Sequence, residues 1–265
     1  MEELYFQMNF KKILIFILVA CSNERKEHKI VVSIYPIKLI LNEIGISSEV
    51  LIDKVVDIHS FEPNIKMLIH AQNSCGFIYI SDNFETWSKN IKAKYKLKLL
   101  EESENPHIWT NPKFILKVIP KIENLLKRCS IDYKKENLEN FIEKLKKIDS
   151  INEENSKKLK TQFILFHTSF EPFLKAYNLK IETILIKEGY YDILPSDLEK
   201  AINSKDKIII VESYYNEELL EVFKKKNFKI IKLNPLGNEF ENYTDFIKAI
   251  SDSILINKYV LKENL

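Results

Sequence analysis

Short apolar runs alternate along the chain with segments whose apolar positions recur at helical spacing. In the first part of the chain, strands are predicted at 29–35, 48–55, 75–80 and 96–100. Helices are predicted between them, one opened by Pro36, one from Glu62 to about Gln72 with Ser60 as its N-cap, and one around 84–91. Such alternation predicts a parallel sheet with helices on both faces.

A long helical region separates this part from a second set of strands. Residues 113–128 and 132–160 repeat apolar positions at helical spacing, with Lys and Glu on the other faces. Strands are then predicted at 161–167, 180–186, 206–213 and 228–233, and helices at 169–177, 195–203, 216–227 and about 241–258. The pattern predicts an α/β protein of two similar lobes, residues 29–130 and 161–265, joined by a long interlobe helix within 131–160.

The first 28 residues differ in character from the rest. Residues 1–7 resemble the remnant of an expression tag and are excluded from the fold prediction. From Met8, a basic start and a short apolar run lead to Cys21, which is the pattern of a bacterial lipoprotein signal peptide (8–20) with an acylated cysteine. The run is shorter than the ~20 residues that span a bilayer. A buried N-terminal strand is the alternative reading of the apolar run. The polar stretch after the run favours the signal peptide, with residues 21–28 as a tether.

Composition excludes several classes of function. The chain of 265 residues is 45% hydrophobic and 29% charged, which is enough apolar content for a sizeable core. The net charge is only +2, and arginine occurs only at Arg25 and Arg128, so a nucleic-acid partner is not expected. The four glycines assemble no phosphate-binding loop. Cys75 and Cys129 either pair or remain buried free thiols, and the sequence leaves both open.

Three of the five histidines stand at the ends of strand-like runs. His59, His107 and His167 are separated by 48 and 60 residues. His107 lies in NPHIWTNP, where two prolines stiffen the loop around it. The carboxyl ends of parallel strands face a common crevice, so these imidazoles are predicted to converge between the lobes. Three imidazoles with one further donor form a tetrahedral zinc site.

Other polar and aromatic groups have supporting or unrelated roles. Glu62 and Glu171 follow their histidines closely and each precedes a proline, so we expect them to start a helix or orient an imidazole. Trp109 is expected to wall the pocket and exclude water. His70 belongs to a helical run and His28 to the tether, and neither is expected to bind a metal.

Four segments resemble, in order, the motifs of the metal-binding components of bacterial ABC importers for zinc or manganese. They are DIHSFEP, NPHIWTNP, FHTSFEPF and NPLG, and the resemblance covers residues 29 to about 258. It implies that His59, His107 and His167 are the first three ligands. The family's fourth ligand is usually an aspartate, and the resemblance assigns this place to Asn234, whose neutral carbonyl oxygen would leave the site with one negative charge fewer. Water or Glu212, at the end of a predicted strand, could complete the shell instead.

The resemblance implies capture of a metal ion and no catalysis. Three histidines favour Zn²⁺ over Mn²⁺, whose carriers use more carboxylates. The expected protein is a monomeric, lipid-anchored, extracytoplasmic carrier that delivers its ion to a membrane permease of an ABC importer. Because Asn234 stands in place of the family's aspartate, a surface adhesin of this fold with weakened or structural metal binding is the alternative. A zinc hydrolase fits less well, because the chain has no HExxH motif.

Overall fold

Two four-stranded parallel sheets form the framework of the protein in a computed structural model that describes residues 29–53, 61–101, 105–190 and 192–256. The elements of the first part are β1 (Ile30–Ile34), α1 (Tyr35–Glu43), β2 (Ser48–Ile52), α2 (Ile65–Asn73), β3 (Gly76–Tyr79), a 3-10 helix (Thr86–Asn90), β4 (Tyr95–Lys98) and a 3-10 helix (Ile108–Thr110). Two longer helices follow, α3 (Pro112–Arg128) and α4 (Lys135–Ser156).

The second part repeats the alternation. Its elements are β5 (Gln162–His167), a 3-10 helix (Thr168–Phe170), α5 (Glu171–Ala176), β6 (Lys180–Ile186), α6 (Pro195–Ile202), β7 (Ile208–Glu212), a 3-10 helix (Glu217–Leu220), α7 (Glu221–Lys225), β8 (Lys229–Leu233), α8 (Tyr243–Ser251) and a π-helical turn (Asp252–Ile256). The strand orders are β2-β1-β3-β4 and β6-β5-β7-β8, and all pairs are parallel. The predicted α/β fold with two similar lobes is confirmed.

Two predicted helices differ from those observed. The helix expected from Glu62 begins at Ile65, because the Asn64 side chain caps it by accepting a hydrogen bond from the Met67 N–H at 3.1 Å. Ser60, the predicted cap, lies outside the described residues. The helix expected around 84–91 is a short 3-10 helix, Thr86–Asn90. Its position is set by Glu85, the residue before it, whose buried carboxylate accepts hydrogen bonds from backbone N–H groups just after β3.

One apolar cluster extends through both lobes. It includes Trp109 from the first part of the chain, Phe141 from α4, and Phe173 and Tyr243 from the second part. Each of these side chains is at most 1% exposed. Helix α8 packs against both α1 and α4, so the end of the chain closes over the first lobe. Because wide separation of the lobes would expose this core, we expect them to move little against each other.

Hydrogen bonds between α1 and the start of α8 reinforce the contact between lobes. The Glu43 carboxylate accepts bonds from the Thr244 N–H at 2.7 Å and the Thr244 hydroxyl at 2.5 Å. The Glu43 side chain is only 4% exposed. The Asn42 side-chain amide donates to the Glu241 carbonyl at 2.8 Å. The Glu43 carboxylate of the first lobe thus caps the N-terminus of α8 in the second lobe.

A disulfide joins Cys75, directly before β3, to Cys129, which caps α3, with 5.7 Å between their Cα atoms. The two alternatives left open by the sequence are thereby resolved in favour of pairing. The bond ties a helix to the strand beneath it. In the part of the chain that the structure describes, no helix combines the length and the apolar character needed to cross a bilayer.

Removing this disulfide should destabilise the protein substantially. The cross-link closes a loop of 54 residues, which corresponds to about 4 kcal/mol of unfolding free energy in the chain-entropy account. We expect the Cys75→Ala/Cys129→Ala variant to unfold at a clearly lower urea concentration than the oxidised protein. Wild-type protein treated with reductant is the control and should match the variant. An unchanged midpoint under reduction would show that the bond does not form in solution.

Candidate metal centre

His107 is held in a stiff, buried turn by hydrogen bonds on both sides. The histidine precedes the 3-10 helix Ile108–Thr110, and Asn111 then caps α3 by accepting bonds from the backbone of Lys113 and Phe114. His107 is 1% exposed. Its Nδ1 lies 2.8 Å from Oδ1 of Asn105, an oxygen that also accepts the His107 backbone N–H at 2.9 Å. With Nδ1 as the donor to this oxygen, the lone pair of the neutral ring is on Nε2.

His167 ends β5 and meets His107 across the lobes. The two ring centroids are 5.3 Å apart, and the ring planes lie at 83°. His167 is 5% exposed, and its Nδ1 lies 3.1 Å from the Ser169 hydroxyl. Imidazoles that share a tetrahedral zinc ion through ~2.0–2.1 Å bonds have centroids about 5 Å apart. The observed arrangement therefore suits a shared ion.

Glu212 brings a fully buried carboxylate to the same place. It ends β7, beside β5, and one of its oxygens lies 3.7 Å from Nδ1 of His167. The residue is 0% exposed, and neither carboxylate oxygen has a hydrogen-bond partner among the described residues. A buried carboxylate without donors is costly unless positive charge is near. The Ser169 hydroxyl is the hydrogen-bond partner at Nδ1 of His167, and the negative charge of Glu212 beside it favours a cation nearby.

Two further polar residues at the site escaped the sequence analysis. Asn105 donates its side-chain amide to the Thr168 carbonyl at 2.9 Å and to Glu171 at 2.8 Å, so it links His107 to the second lobe. Glu188, two residues beyond β6, accepts a bond from the Thr168 hydroxyl at 3.0 Å and lies 3.9 Å from Nδ1 of His107. Neither residue had a local signal in the sequence, because their roles depend on contacts with Thr168.

Aromatic side chains wall the pair of histidines. The Trp109 ring lies 5.1 Å from that of His107, and the Phe84 ring meets His107 edge-on at 5.8 Å. Trp109 is 1% exposed and donates its indole N–H to the Pro235 carbonyl at 2.7 Å. Tyr243 in turn donates its hydroxyl to the Trp109 carbonyl at 2.8 Å. These contacts exclude water from one side of the site and hold the loop after β8 against it.

Asn234 follows β8, and its side chain is committed to its own loop. Its Oδ1 accepts the Leu236 backbone N–H at 2.9 Å. Its amide nitrogen donates to Asn238 at 2.6 Å and to the carboxylate of Glu239. Gly237 turns the loop with a φ of +60°, and a Cβ at this position would come within 2.5 Å of the Phe246 ring.

The remaining predicted site residues lie farther away or outside the described chain. Glu171 is the first residue of α5 and accepts the Asn105 amide, while Lys175 also pairs with it at 2.7 Å. Glu62 is exposed before α2. His59 and Cys21 fall outside the described residues. Within 29–53, 61–101, 105–190 and 192–256, no three His, Cys, Asp or Glu side chains stand close enough together to hold a metal ion.

Glu85 is a second buried carboxylate close to this end of the first sheet. It accepts hydrogen bonds from the backbone N–H groups of Ile80 at 2.7 Å and Ser81 at 3.3 Å. Burial raises its pKa from 4.5 to about 7, although the hydrogen bonds from the Ile80 and Ser81 backbone oppose the shift. The native state therefore favours the protonated carboxyl.

The raised pKa of Glu85 should make the metal-free protein less stable as pH rises. The unfolded chain releases this proton near pH 4.5 and the folded protein near pH 7, so the stabilisation present below pH 4.5 is lost as pH rises through about 7. The loss corresponds to about 3 kcal/mol of unfolding free energy. Urea unfolding with chelator, at a series of pH values, should show this decline in wild type. Glu85→Gln should lack it, and parallel profiles would contradict the assignment.

Comparison with known proteins gives consistent matches over most of the chain. The family model described as the periplasmic component A of the zinc-uptake complex, ZnuA, matches residues 30–255. Zinc-binding lipoprotein AdcA of Streptococcus pneumoniae (strain ATCC BAA-255 / R6) is 29% identical over 205 residues, which are 62% of this chain and 40% of AdcA. The chain thus spans well under half the length of that relative.

Solved structures share the fold at lower sequence identity. The Streptococcus pneumoniae AdcAII protein has a TM-score of 0.70 at 22% identity, covering 85% of this chain and 98% of AdcAII. The laminin-binding protein Lbp of Streptococcus pyogenes has a TM-score of 0.66 at 19% identity, covering 85% of this chain and 98% of Lbp. At these identities, both matches establish the two-lobed fold alone.

Proposed function

We infer the function of this chain from the family to which it belongs, that of ZnuA, the periplasmic component A of zinc-uptake complexes. This membership confirms the resemblance drawn from the histidine motifs. The family consists of metal-binding transport proteins and is not a family of enzymes. We propose that the protein captures Zn²⁺ outside the cytoplasm and delivers it to an ABC importer. The observation that carries the proposal is the meeting of two buried imidazoles, His107 and His167, with centroids 5.3 Å apart.

The proposed ligands are His59, His107 and His167, with Asn234 as the fourth donor and water or Glu212 as the alternatives. Neutral imidazole nitrogens favour zinc over manganese, which prefers oxygen donors. Asn105 and Ser169 support this choice because each is a hydrogen-bond partner of Nδ1 of one histidine and leaves Nε2 to face an ion. The ion is cargo, so binding must be tight and yet reversible.

The shared core and the bonds between α1 and α8 favour capture by small loop movements. We propose lobes at 29–130 and 161–265 with a connecting helical segment at 131–160. Residues 8–20 would be a signal peptide, and Cys21 would carry the lipid anchor at the head of the 21–28 tether. AdcA, the relative described above, is named a lipoprotein. The partner would be the membrane permease, and the carrier would act as a monomer.

Loss of either described histidine should abolish tight zinc binding. We expect His107→Ala and His167→Ala to weaken zinc binding at least about a hundredfold, since even partners that only orient a ligand contribute tenfold to a hundredfold. Calorimetric titration against a competing chelator would measure the change. His70→Ala is the matched control, because this half-exposed histidine on α2 pairs with Glu49 away from the site. A single tight zinc site retained in His107→Ala would refute the ligand assignment.

Zinc affinity should fall steeply in acid. Each ligand imidazole must be neutral to bind, and a free histidine side chain takes up a proton with a pKa of ~6.5. We therefore expect the dissociation constant to rise at least about tenfold per pH unit below about pH 6. Competition titrations at several pH values would test this. An affinity that does not change between pH 7 and pH 5 would show that histidines do not hold the ion.

A further inference from the structure

Cationic side chains gather at the amino end of the first sheet, which is the end opposite the candidate metal centre. Lys29 comes directly before β1, and Lys92 and Lys94 come just before β4. Arg128, the only arginine among the described residues, is the last residue of α3. All four residues are exposed. Because the strands of this sheet are parallel, their amino ends lie on the same side of the lobe.

Backbone and side-chain contacts hold this group together. The Lys29 carbonyl accepts the Cys75 N–H at 3.1 Å, and the Cys75 carbonyl accepts the Tyr95 N–H at 2.9 Å. The guanidinium carbon of Arg128 lies 4.2 Å from the centroid of the Tyr95 ring, and Nζ of Lys94 lies 5.3 Å from it. The disulfide of Cys75 also ties the end of α3 to this place. The fold therefore keeps these positive charges near one another.

Carboxylates do not balance these charges in the part of the chain that the structure describes. There, Lys92, Lys94 and Arg128 form no ion pair with an acid. Glu123, which precedes Arg128 on α3, pairs instead with a lysine one turn away at 2.8 Å. Asp132 follows α3 and makes no ion pair with them. Like charges held this close repel one another, so an anionic partner would stabilise the arrangement.

The predicted tether joins the described chain at the same end of the sheet. Residues 21–28 lie outside the described residues and lead to Lys29, from which β1 begins. Eight extended residues reach at most about 28 Å. With a lipid on Cys21, as proposed above, the amino end of the first sheet is the part of the fold nearest to the anchor along the chain. A lipid chain and a basic surface act together as two signals for stable membrane association.

We propose that the amino end of the first sheet, with Lys29, Lys92, Lys94, Tyr95 and Arg128, rests on the anionic phospholipid headgroups of the membrane that holds the anchor. This inference rests on the lipid anchor of the proposed function and adds the orientation of the carrier. Lysine and arginine bind phosphate oxygens, and tyrosine is enriched at membrane–water interfaces. A strand of five residues spans roughly 15 Å. The metal centre, at the carboxyl ends of the strands, then lies on the side of the first lobe away from the lipid.

Binding of the full chain, without its lipid, to vesicles tests the proposal. The vesicles contain phosphatidylglycerol and phosphatidylcholine in equal parts. We expect Lys92→Gln/Lys94→Gln/Arg128→Gln to bind them at least about tenfold more weakly than wild type, since each cation near an anionic surface contributes roughly fivefold. Sedimentation of the vesicles at low salt measures the bound fraction, and added salt should release wild type. Equal binding of wild type and the triple variant would overturn the proposal.

A second variant preserves the contact between Arg128 and Tyr95. Lys92→Gln/Lys94→Gln removes only exposed ends of the surface, so it tests the charges without changing the end of α3. We expect it to bind anionic vesicles at least about fivefold more weakly than wild type. Unchanged binding in this variant would show that the lysines do not meet the lipid, and would overturn the proposal.

The matched control removes the same charge elsewhere. Lys66→Gln/Lys146→Gln/Lys248→Gln changes exposed lysines on α2, α4 and α8 and should bind within about twofold of wild type. Vesicles of phosphatidylcholine alone measure the binding contributed by the apolar run 13–20, which every variant shares. Equal losses in the two triple variants would show that net charge alone decides binding, and would overturn the proposal.

Hydrogen exchange reads the orientation independently of any substitution. On anionic vesicles we expect slower exchange of backbone amides in residues 91–95 and 127–133, which lie at the amino end of the first sheet. Exchange in residues 234–240, in the loop after β8, should not change. Protection of that loop alone would place the opposite side of the molecule against the lipid and would overturn the proposal.

Zinc titration distinguishes this inference from the proposed function. The triple variant at Lys92, Lys94 and Arg128 should bind zinc as wild type does, because its changes lie at the far end of the sheet. Intact zinc binding with equal vesicle binding in wild type and this variant would refute the lipid-facing surface and leave zinc capture in place. Zinc binding that is absent in wild type, with the expected difference in vesicle binding, would refute zinc capture and leave the lipid-facing surface in place.

Discussion

The side chain of Asn105 connects the two lobes at the point where their histidines meet. Its oxygen accepts the His107 backbone N–H and lies in hydrogen-bond contact with Nδ1 of the same residue. Its amide nitrogen donates to the Thr168 carbonyl and the Glu171 carboxylate of the second lobe. The Asn105 side chain therefore sets the tautomer of the His107 imidazole and also ties His107 to the lobe that carries His167. Without it, the His107 ring could turn within its pocket, and the lobes would lose a buried contact beside the site.

The surrounding structure keeps this junction rigid. The core shared by the lobes, the Glu43 cap on α8 and the bond from Trp109 to Pro235 all cross between them. A preorganised pair of imidazoles needs little ordering when an ion arrives, so less binding energy is spent on conformational entropy. Release of the ion then requires an external influence on the loops, which is the task of a transport partner in the proposed function.

The fold could be predicted from the sequence because its strands are continuous apolar runs. All eight predicted strands were observed, with ends shifted by one or two residues in most cases. The position of His167 was equally accessible, since it ends such a run, whereas His107 lies in the loop after β4 and was marked by the prolines on either side of it. The start of α2 was misplaced because Ser60 and Asn64 are both good caps, and only the tertiary structure chooses between them.

Other features of the site have no local signature. Asn105 and Glu188 lie in loops, and their roles depend on Thr168, which is 63 residues from one and 20 from the other. The pairing of Cys75 with Cys129 requires a Cα separation that spacing along the chain does not reveal. The direction of the Asn234 amide is set by a turn of its own backbone. Such details follow from packing, which the pattern of residue types does not specify.

The two sheets have the same strand order, yet the histidines do not occupy matching places in them. His107 comes after β4, the last strand of its sheet, whereas His167 ends β5, the first strand of the other. A pair of identical half-proteins would therefore fail to reproduce the centre, despite sharing the architecture. Cleavage of the polypeptide between the halves, followed by their separation, would expose the core that the lobes share and leave each fragment with an incomplete set of donors.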